Sequence, residues 1–439
     1  MNKPQSSNML TGLLILLCLA SWPLHAAETL TLNPQNPGDP RNPLPTCTAP
    51  CVWSAARISG DHGIANHVTI TKERQVVVAG YGDDPSFGAF VRAYSIDGKP
   101  LWIYSGAGTG HQANIPQFSA VAAHPSGGVM AVGHDYSANN AASNSGGSSP
   151  WAAGWLVRFD GQGKVLWQHR DHGDGEHRRF RAVTALPDGR IAVLGYWDVP
   201  FDSDTRRDFG KTRPFVTLFT ADGTKIWTKL LKGGRDNIVH DITVFDGDHL
   251  LAIGRVKDYR SNMLVQVWAA KFAIADGALL WDRHHGGAES DAAYGVIVLE
   301  NGQALLAGNF GGFTARRNMK LRAWTLIIDA DGNHVSDEIN GVKALSRIYV
   351  DVVAAGGDRA LTVGWGPAGD IALREFRSGK NIGPASRFGG PWADIPTAMA
   401  YDRETDRVFV AGSTEVPQSD TSSVRNTGWL VALEPGWAE

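Results

Sequence analysis

"ADGALLWDRHHGG", Ala275–Gly287, joins an Asp-Gly turn to an apolar residue, a tryptophan and a glycine-rich loop. Earlier segments repeat the order: "SIDGKPLWIYSG", "DGQGKVLWQHRDHGDG" and "TADGTKIWTKLLKGG". Asp-Gly between two hydrophobic runs is a hairpin signal, because glycine accepts the positive φ that the turn needs. A recurrence every fifty to sixty residues means that one supersecondary unit is being copied.

A second marker gives the count. Short runs ending in glycine ("VVVAG", "MAVG", "AVLG", "LAIG", "LLAG", "LTVG", "VFVAG") place Gly80, Gly133, Gly195, Gly254, Gly308, Gly364 and Gly412 at intervals of 53, 62, 59, 54, 56 and 48 residues. Each unit reads as a strand ("FRAVTAL", "YGVIVL"), a tight turn ("PDGR", "ENGQ"), the run ending in glycine, a variable loop, a third strand ("GWLVRF", "AWTLII") and, after Asp-Gly, a fourth strand that starts with the apolar-Trp pair. Four short antiparallel strands cannot cover both faces of their own sheet, and radial repetition of such sheets solves that problem while limiting exposed edges. The sequence therefore predicts an all-β fold, a seven-bladed β-propeller of four-stranded antiparallel blades spanning residues 52–439. The last unit stops after its third strand, "GWLVALEPG", whereas Val52 and Trp53 precede any complete unit. A strand from about Val52 to Ser59 is thus expected to complete the seventh blade and close the ring.

"LWDRHHGGAESDAAYGVIVLENGQALLAG" (Leu280–Gly308) and "FGGPWADIPTAMAYDRETDRVFVAG" resemble the bacterial β-propeller repeat family with Trp, Gly-Gly and Asp repeat units. The pairing of a Gly turn with Trp four residues on is similar, more distantly, to the pyrroloquinoline-quinone-type propeller repeat. Those resemblances imply a fold over residues 52–436, and through the second a pyrroloquinoline quinone cofactor; they carry no catalytic residue. Ser336 and Gly383 stand where two of the units lack the tryptophan. Trp102, Trp167, Trp227 and Trp281 are accordingly expected to pack blade against blade.

The chain ends carry other information. Lys3, the apolar run Leu10–Ala20 and the small residues of "LHAAE" read as a secretory signal peptide over residues 1–27. The protein is expected in the periplasm or secreted, with no membrane span, and as a monomer. Residues 28–51 form an N-terminal extension whose Cys47 and Cys51, in "TCTAPC", are expected to make a disulfide in an oxidising compartment. A redox or copper-binding CxxxC is the other reading of that pair. The formal net charge of −3 argues against a nucleic-acid partner.

In an antiparallel meander the tight turns share one face, while the second-to-third loops and the inter-blade connections share the other. The longest loops, "HDYSANNAASNSGGSSPWAAG" and "YWDVPFDSDTRRDFGKTRP", put the functional face there. His62, His111, His177, Arg178, Arg181, Arg235, Asp291 and Asp394 are the ligand-binding candidates on that rim, the arginines as bidentate clamps for carboxylate, phosphate or sulfate. In "DHGDGEH", Asp171, Asp174 and Glu176 could hold Ca²⁺, or the histidines a transition metal, although the segment does not match the twelve-residue calcium loop. No GxSxG, HExxH or P-loop pattern occurs. The expectation is a binding or scaffold module for a protein, a glycan or a small anionic ligand. The alternative is an enzyme at the channel mouth, either a quinoprotein-like oxidoreductase or a polysaccharide hydrolase or lyase.

Overall fold

A computed structural model describes residues 46–47, 51–55, 58–59, 62–83, 88–107, 115–136, 152–172, 177–198, 212–231, 237–256, 265–287, 290–311, 321–339, 348–366, 371–377, 380–381, 386–389, 393–417 and 424–433. Seven antiparallel sheets follow one another along the chain, and the innermost strands are Ile64–Ile70, Gln117–Ala123, His177–Ala185, Ile238–Asp246, Ala292–Val298, Ile348–Gly356 and Ala393–Asp402. They define blades one to seven. Among the described residues there is no helix, and none long and apolar enough to cross a membrane.

Each hydrophobic core lies between two blades rather than within one. Leu194, Val216 and Leu218 of blade three pack with Leu250, Trp268 and Phe272 of blade four. Val76, Val78 and Phe90 of blade one pack with Phe409, Leu430 and Ala432 of blade seven, so the ring is continuous. Burying such side chains stabilises by roughly 1.5–3 kcal/mol each, and every blade depends on both neighbours for it.

The N-terminal segment finishes two blades. Cys51–Ala55 pairs with the third strand of blade seven, Cys51 opposite Leu433 and Ser54 opposite Val431. The strand is shorter than the expected Val52–Ser59: Ile58 and Ser59 form a turn, in which the Ser59 Oγ accepts the Gly428 amide at 2.7 Å. Thr46–Cys47 adds beyond Ser386–Gly389 as a further strand of blade six, which the sequence did not suggest. Cys47 and Cys51 thus sit on the edges of adjacent blades. Residues 1–45, with the expected signal peptide, lie outside the described residues.

The tryptophans explain the repeat. The rings of Trp102, Trp167, Trp227 and Trp281 lie over Gly163, Gly223, Gly277 and Gly332 in the third-to-fourth-strand turn of the next blade, where an added Cβ would come within 2.4, 2.7, 2.8 and 2.8 Å of the ring. Those four glycines have φ between 69° and 88°, so the turn and the contact ask for the same residue. The indole N–H of Trp167 donates to Ala221 O at 3.1 Å, that of Trp227 to Ile274 O at 3.0 Å and that of Trp281 to Ala330 O at 3.0 Å, each across the blade boundary. Asp-Gly and Trp recur together because each of these four turns receives the tryptophan of the blade before it.

The counted glycines have a different cause. Each lies opposite a β-bulge in the innermost strand, and a Cβ there would meet that strand's backbone oxygen: 2.0 Å at Gly80, 1.9 Å at Gly133, 2.2 Å at Gly254 and 1.9 Å at Gly308 and Gly364. Seven bulges leave seven residues out of the ladder: Asn66, Ser119, Arg181, His240, Tyr294, Val350 and Thr397. A bulge re-aims the side chain of the extra residue. Six of these seven are polar, in strands otherwise rich in apolar residues.

Candidate functional site

Arg181 is the bulge residue of blade three. Its charge is felt at His67 of blade one, at His134 of blade two and at His240 of blade four, and lowers the basicity of all three. Arg181 is half-buried and, like the half-buried Arg255 at the end of "LAIGR", has no ion pair or hydrogen bond among the described residues. Arg255 also acts on His240, the bulge residue of blade four, whose ring packs edge-on to Tyr294 of blade five at 4.7 Å between centroids. The charges of Arg181 and Arg255, from different blades, thus both lower the basicity of one imidazole, whose buried Nε2 has no hydrogen-bond partner among the described residues.

The histidines around this point are neutral at physiological pH. Burial first, then the Arg181 charge, lowers His67 to about 4. Burial with Arg179, His177 and Arg181 takes His134 well below its ordinary value, and burial with Arg255 and Arg181 does the same to His240. No carboxylate among the described residues is a cause of the shift at any of the three rings. Arg181 and Arg255 have no ion pair or hydrogen bond among the described residues, and a guanidinium in that state can give an oxyanion charge-assisted hydrogen bonds.

Other bulge residues and their neighbours tie the innermost strands together. Asn66 Nδ2 donates to Phe118 O at 2.7 Å, and Thr397 Oγ1 donates to Ala65 O at 2.5 Å. Asp241 Oδ2 accepts the Val296 amide at 3.0 Å, and Asp351 Oδ2 the Met399 amide at 2.8 Å, each from the next blade. Burial raises Asp241 to about 6 and Asp351 to about 8, with the Asp241 charge adding to the second.

The residues singled out from the sequence are spread around the long-loop rim. His177 Nδ1 accepts the Ala152 amide at 2.9 Å, and burial followed by Arg179 lowers its ring to about 4. Arg178 pairs with Asp171 at 2.8 Å and lies over the Trp197 ring at 4.6 Å. Asp291 is fully buried and accepts the Gly287 and Gly311 amides at 2.8 and 2.9 Å. Asp394, 1 % exposed, accepts the Thr414 hydroxyl, and His62 is exposed. Of these residues, Arg181 alone perturbs His67 and His240. His111, Arg235, Asp174 and Glu176 lie outside the described residues. Among the described residues no group of three or more metal-ligating side chains is assembled.

His67, His134, His240 and Arg255 were not in the sequence-derived set. The signal was present in the glycine frame: His134 and Arg255 directly follow the counted glycines, and His240 directly follows Val239, the partner of Gly254. Reading those columns across units would have found them.

No family model matches the chain, and no curated protein does. Among solved structures, a protein of unknown function from Dyadobacter fermentans DSM 18053 aligns with a TM-score of 0.48 and 11% identity, over 88% of this chain and 99% of that one.

Proposed function

We propose that this propeller is a binding module that holds a small anionic group, free or as part of a larger molecule, in the long-loop end of its channel. Arg181 and Arg255 would grip the anion, with neutral His240 beside them and His67 and His134 around Arg181. One observation carries the reading: two guanidiniums, Arg181 and Arg255, both lower the basicity of His240 and have no carboxylate partner among the described residues. Buried or enclosed cations normally have a counter-charge, and two without one are a place for a ligand to supply it. Export to the periplasm or beyond, expected from the N-terminal sequence, would expose the site to extracytoplasmic anions.

The test is thermal unfolding in sodium sulfate against sodium chloride at matched ionic strength, for the unmodified chain and for Arg181→Met. A ligand at about a hundredfold excess over Kd stabilises by about 2.7 kcal/mol. Sulfate also stabilises proteins generally by exclusion from their surface, which acts on both proteins alike. The reading requires an excess stabilisation in the unmodified chain that Arg181→Met removes; equal responses of the two proteins contradict it.

A further inference from the structure

We propose that Ser126 is an activated nucleophile with His124 as its general base, forming a second site on the tight-turn face that transfers acyl groups from unhindered esters to water. This site is separate from the anion site of Arg181 and Arg255 and does not depend on it.

The pair sits in "HPSGG", the turn between the first two strands of blade two. Thr71, His124, Leu186 and Leu299 open this turn in blades one, two, three and five, and the carbonyl of each accepts the amide three residues on. Leu186 and Leu299 are buried there, so packing alone asks for no imidazole. His124 is 3% exposed and is held at both ring nitrogens. Its Nε2 lies 3.0 Å from Gly189 O of blade three. A carbonyl only accepts, so in the neutral ring Nε2 carries the proton and Nδ1 keeps its lone pair. Ser126 Oγ lies 2.7 Å from Nδ1, and the hydroxyl therefore donates to it, as does the Ser126 amide at 3.2 Å. In blades three and five the residue at the place of Ser126 is Asp188 or Asn301, whose side chain accepts the amide two residues on. In blade two that amide, of Gly128, donates instead to Glu73 of blade one at 3.3 Å, which leaves the Ser126 hydroxyl to His124. Ser126 is exposed. An accessible hydroxyl, a buried base and an acceptor that fixes the tautomer of the base are the parts that activate a serine.

Arg158, from the third strand of blade two, supplies positive charge beside the oxygen. Its Nη2 donates to Ser126 Oγ at 3.2 Å and to Gly127 O at 2.5 Å, and its Nη1 to Val129 O at 3.3 Å and to Phe159 O. This buried guanidinium has no ion pair among the described residues, and Glu73 and Asp160 offset it only at a distance. Negative charge that develops near Oγ is stabilised by it. In the reaction Ser126 Oγ attacks the ester carbonyl carbon while its proton passes to His124 Nδ1. Collapse of the tetrahedral state breaks the bond to the alkoxy group, which leaves with that proton. Water then attacks the acyl-serine and gives a proton to Nδ1; the acid departs, and the proton returns to Ser126 Oγ.

The experiment is labelling of the full-length protein with diisopropyl fluorophosphate, the modified residue being located by peptide mass spectrometry. Attack of Ser126 Oγ on phosphorus forms the P–O bond and expels fluoride, and the serine proton goes to His124. The folded chain should be labelled at Ser126, and Ser126→Ala should remove both that label and the excess hydrolysis of p-nitrophenyl acetate over the variant. His124→Leu gives blade two the residue that blades three and five hold. It should slow labelling about a hundredfold or more, the usual contribution of a general base. Burial lowers the basicity of His124, the Gly189 carbonyl opposes that, and Arg158 adds to the lowering. Labelling should therefore be level above about pH 7 and fall only in acid below about pH 6.5, as the ring takes its proton. Absence of label at Ser126, a rate no higher than in the urea-unfolded chain or in His124→Leu, or p-nitrophenyl acetate hydrolysis that is undiminished in Ser126→Ala would overturn the proposal. The comparison with the unfolded chain stands whether or not His124→Leu folds.

Discussion

Asp351 shows how single residues set the pH response. Its folded carboxyl titrates at about 8 because burial and the nearby Asp241 disfavour its charge, against about 3.9 in an unfolded chain. A group raised in this way favours the folded state fully below the unfolded value, and that contribution is lost as pH climbs through about 8. Asp351→Asn should therefore flatten the fall in stability between about pH 4 and 8 and exceed the parent in denaturant midpoint above that window. An unchanged slope would mean that the carboxyl is charged throughout. His67 and His177 act in the opposite sense. Their rings stay neutral down to about 4, whereas unfolded histidine takes its proton near 6.5, so stability is lost as pH falls between those values.

At the scale of elements, the bulge and its opposing glycine act as one device. Gly308→Ala would put a methyl 1.9 Å from Ala292 O, and nothing short of opening the blade relieves a clash with backbone. The expected cost is about 3 kcal/mol in urea unfolding, in the upper part of the usual range for point substitutions. Trp281→Ala should also cost about 3 kcal/mol, since it uncovers Gly332 and removes one of the two donors, Trp281 and Lys271, to the Ala330 carbonyl. A loss of less than about 1 kcal/mol in either variant would contradict the roles given to these contacts. The tryptophans, Asp-Gly turns and closing glycines were legible in the sequence because each recurs at one place in the unit. The bulges were not, because a bulge is a relation between two strands and leaves no residue type of its own: Asn, Ser, Arg, His, Tyr, Val and Thr all occupy it. For that reason Arg181 could be singled out only as one of several rim arginines, and His240 escaped notice. Asp291 and Asp394 stood out in the sequence by their place in the repeat, and in the structure they accept hydrogen bonds from nearby loop and strand groups.

Over the whole molecule, seven inter-blade cores make a ring in which no blade is complete alone. Deleting residues 1–57 would strip the outer strand from blade seven and the added strand from blade six. The exposed edges should lower the unfolding temperature by at least about 5 °C, the equivalent of one to three kcal/mol in a large domain. A chain that melts unchanged would show that the N-terminal strands contribute nothing to closure. The ring also gives the site its composition. The charge of one bulge residue, Arg181, acts on imidazoles of three other blades because the ring sets strands far apart in sequence around one axis. Histidine titration by NMR tests that action most directly, comparing the unmodified chain with Arg181→Met. The account predicts that removing one charge from blade three raises the pKa values of His67, His134 and His240 together, on blades one, two and four. Movement of none of them, or of the blade-two ring alone, would contradict it.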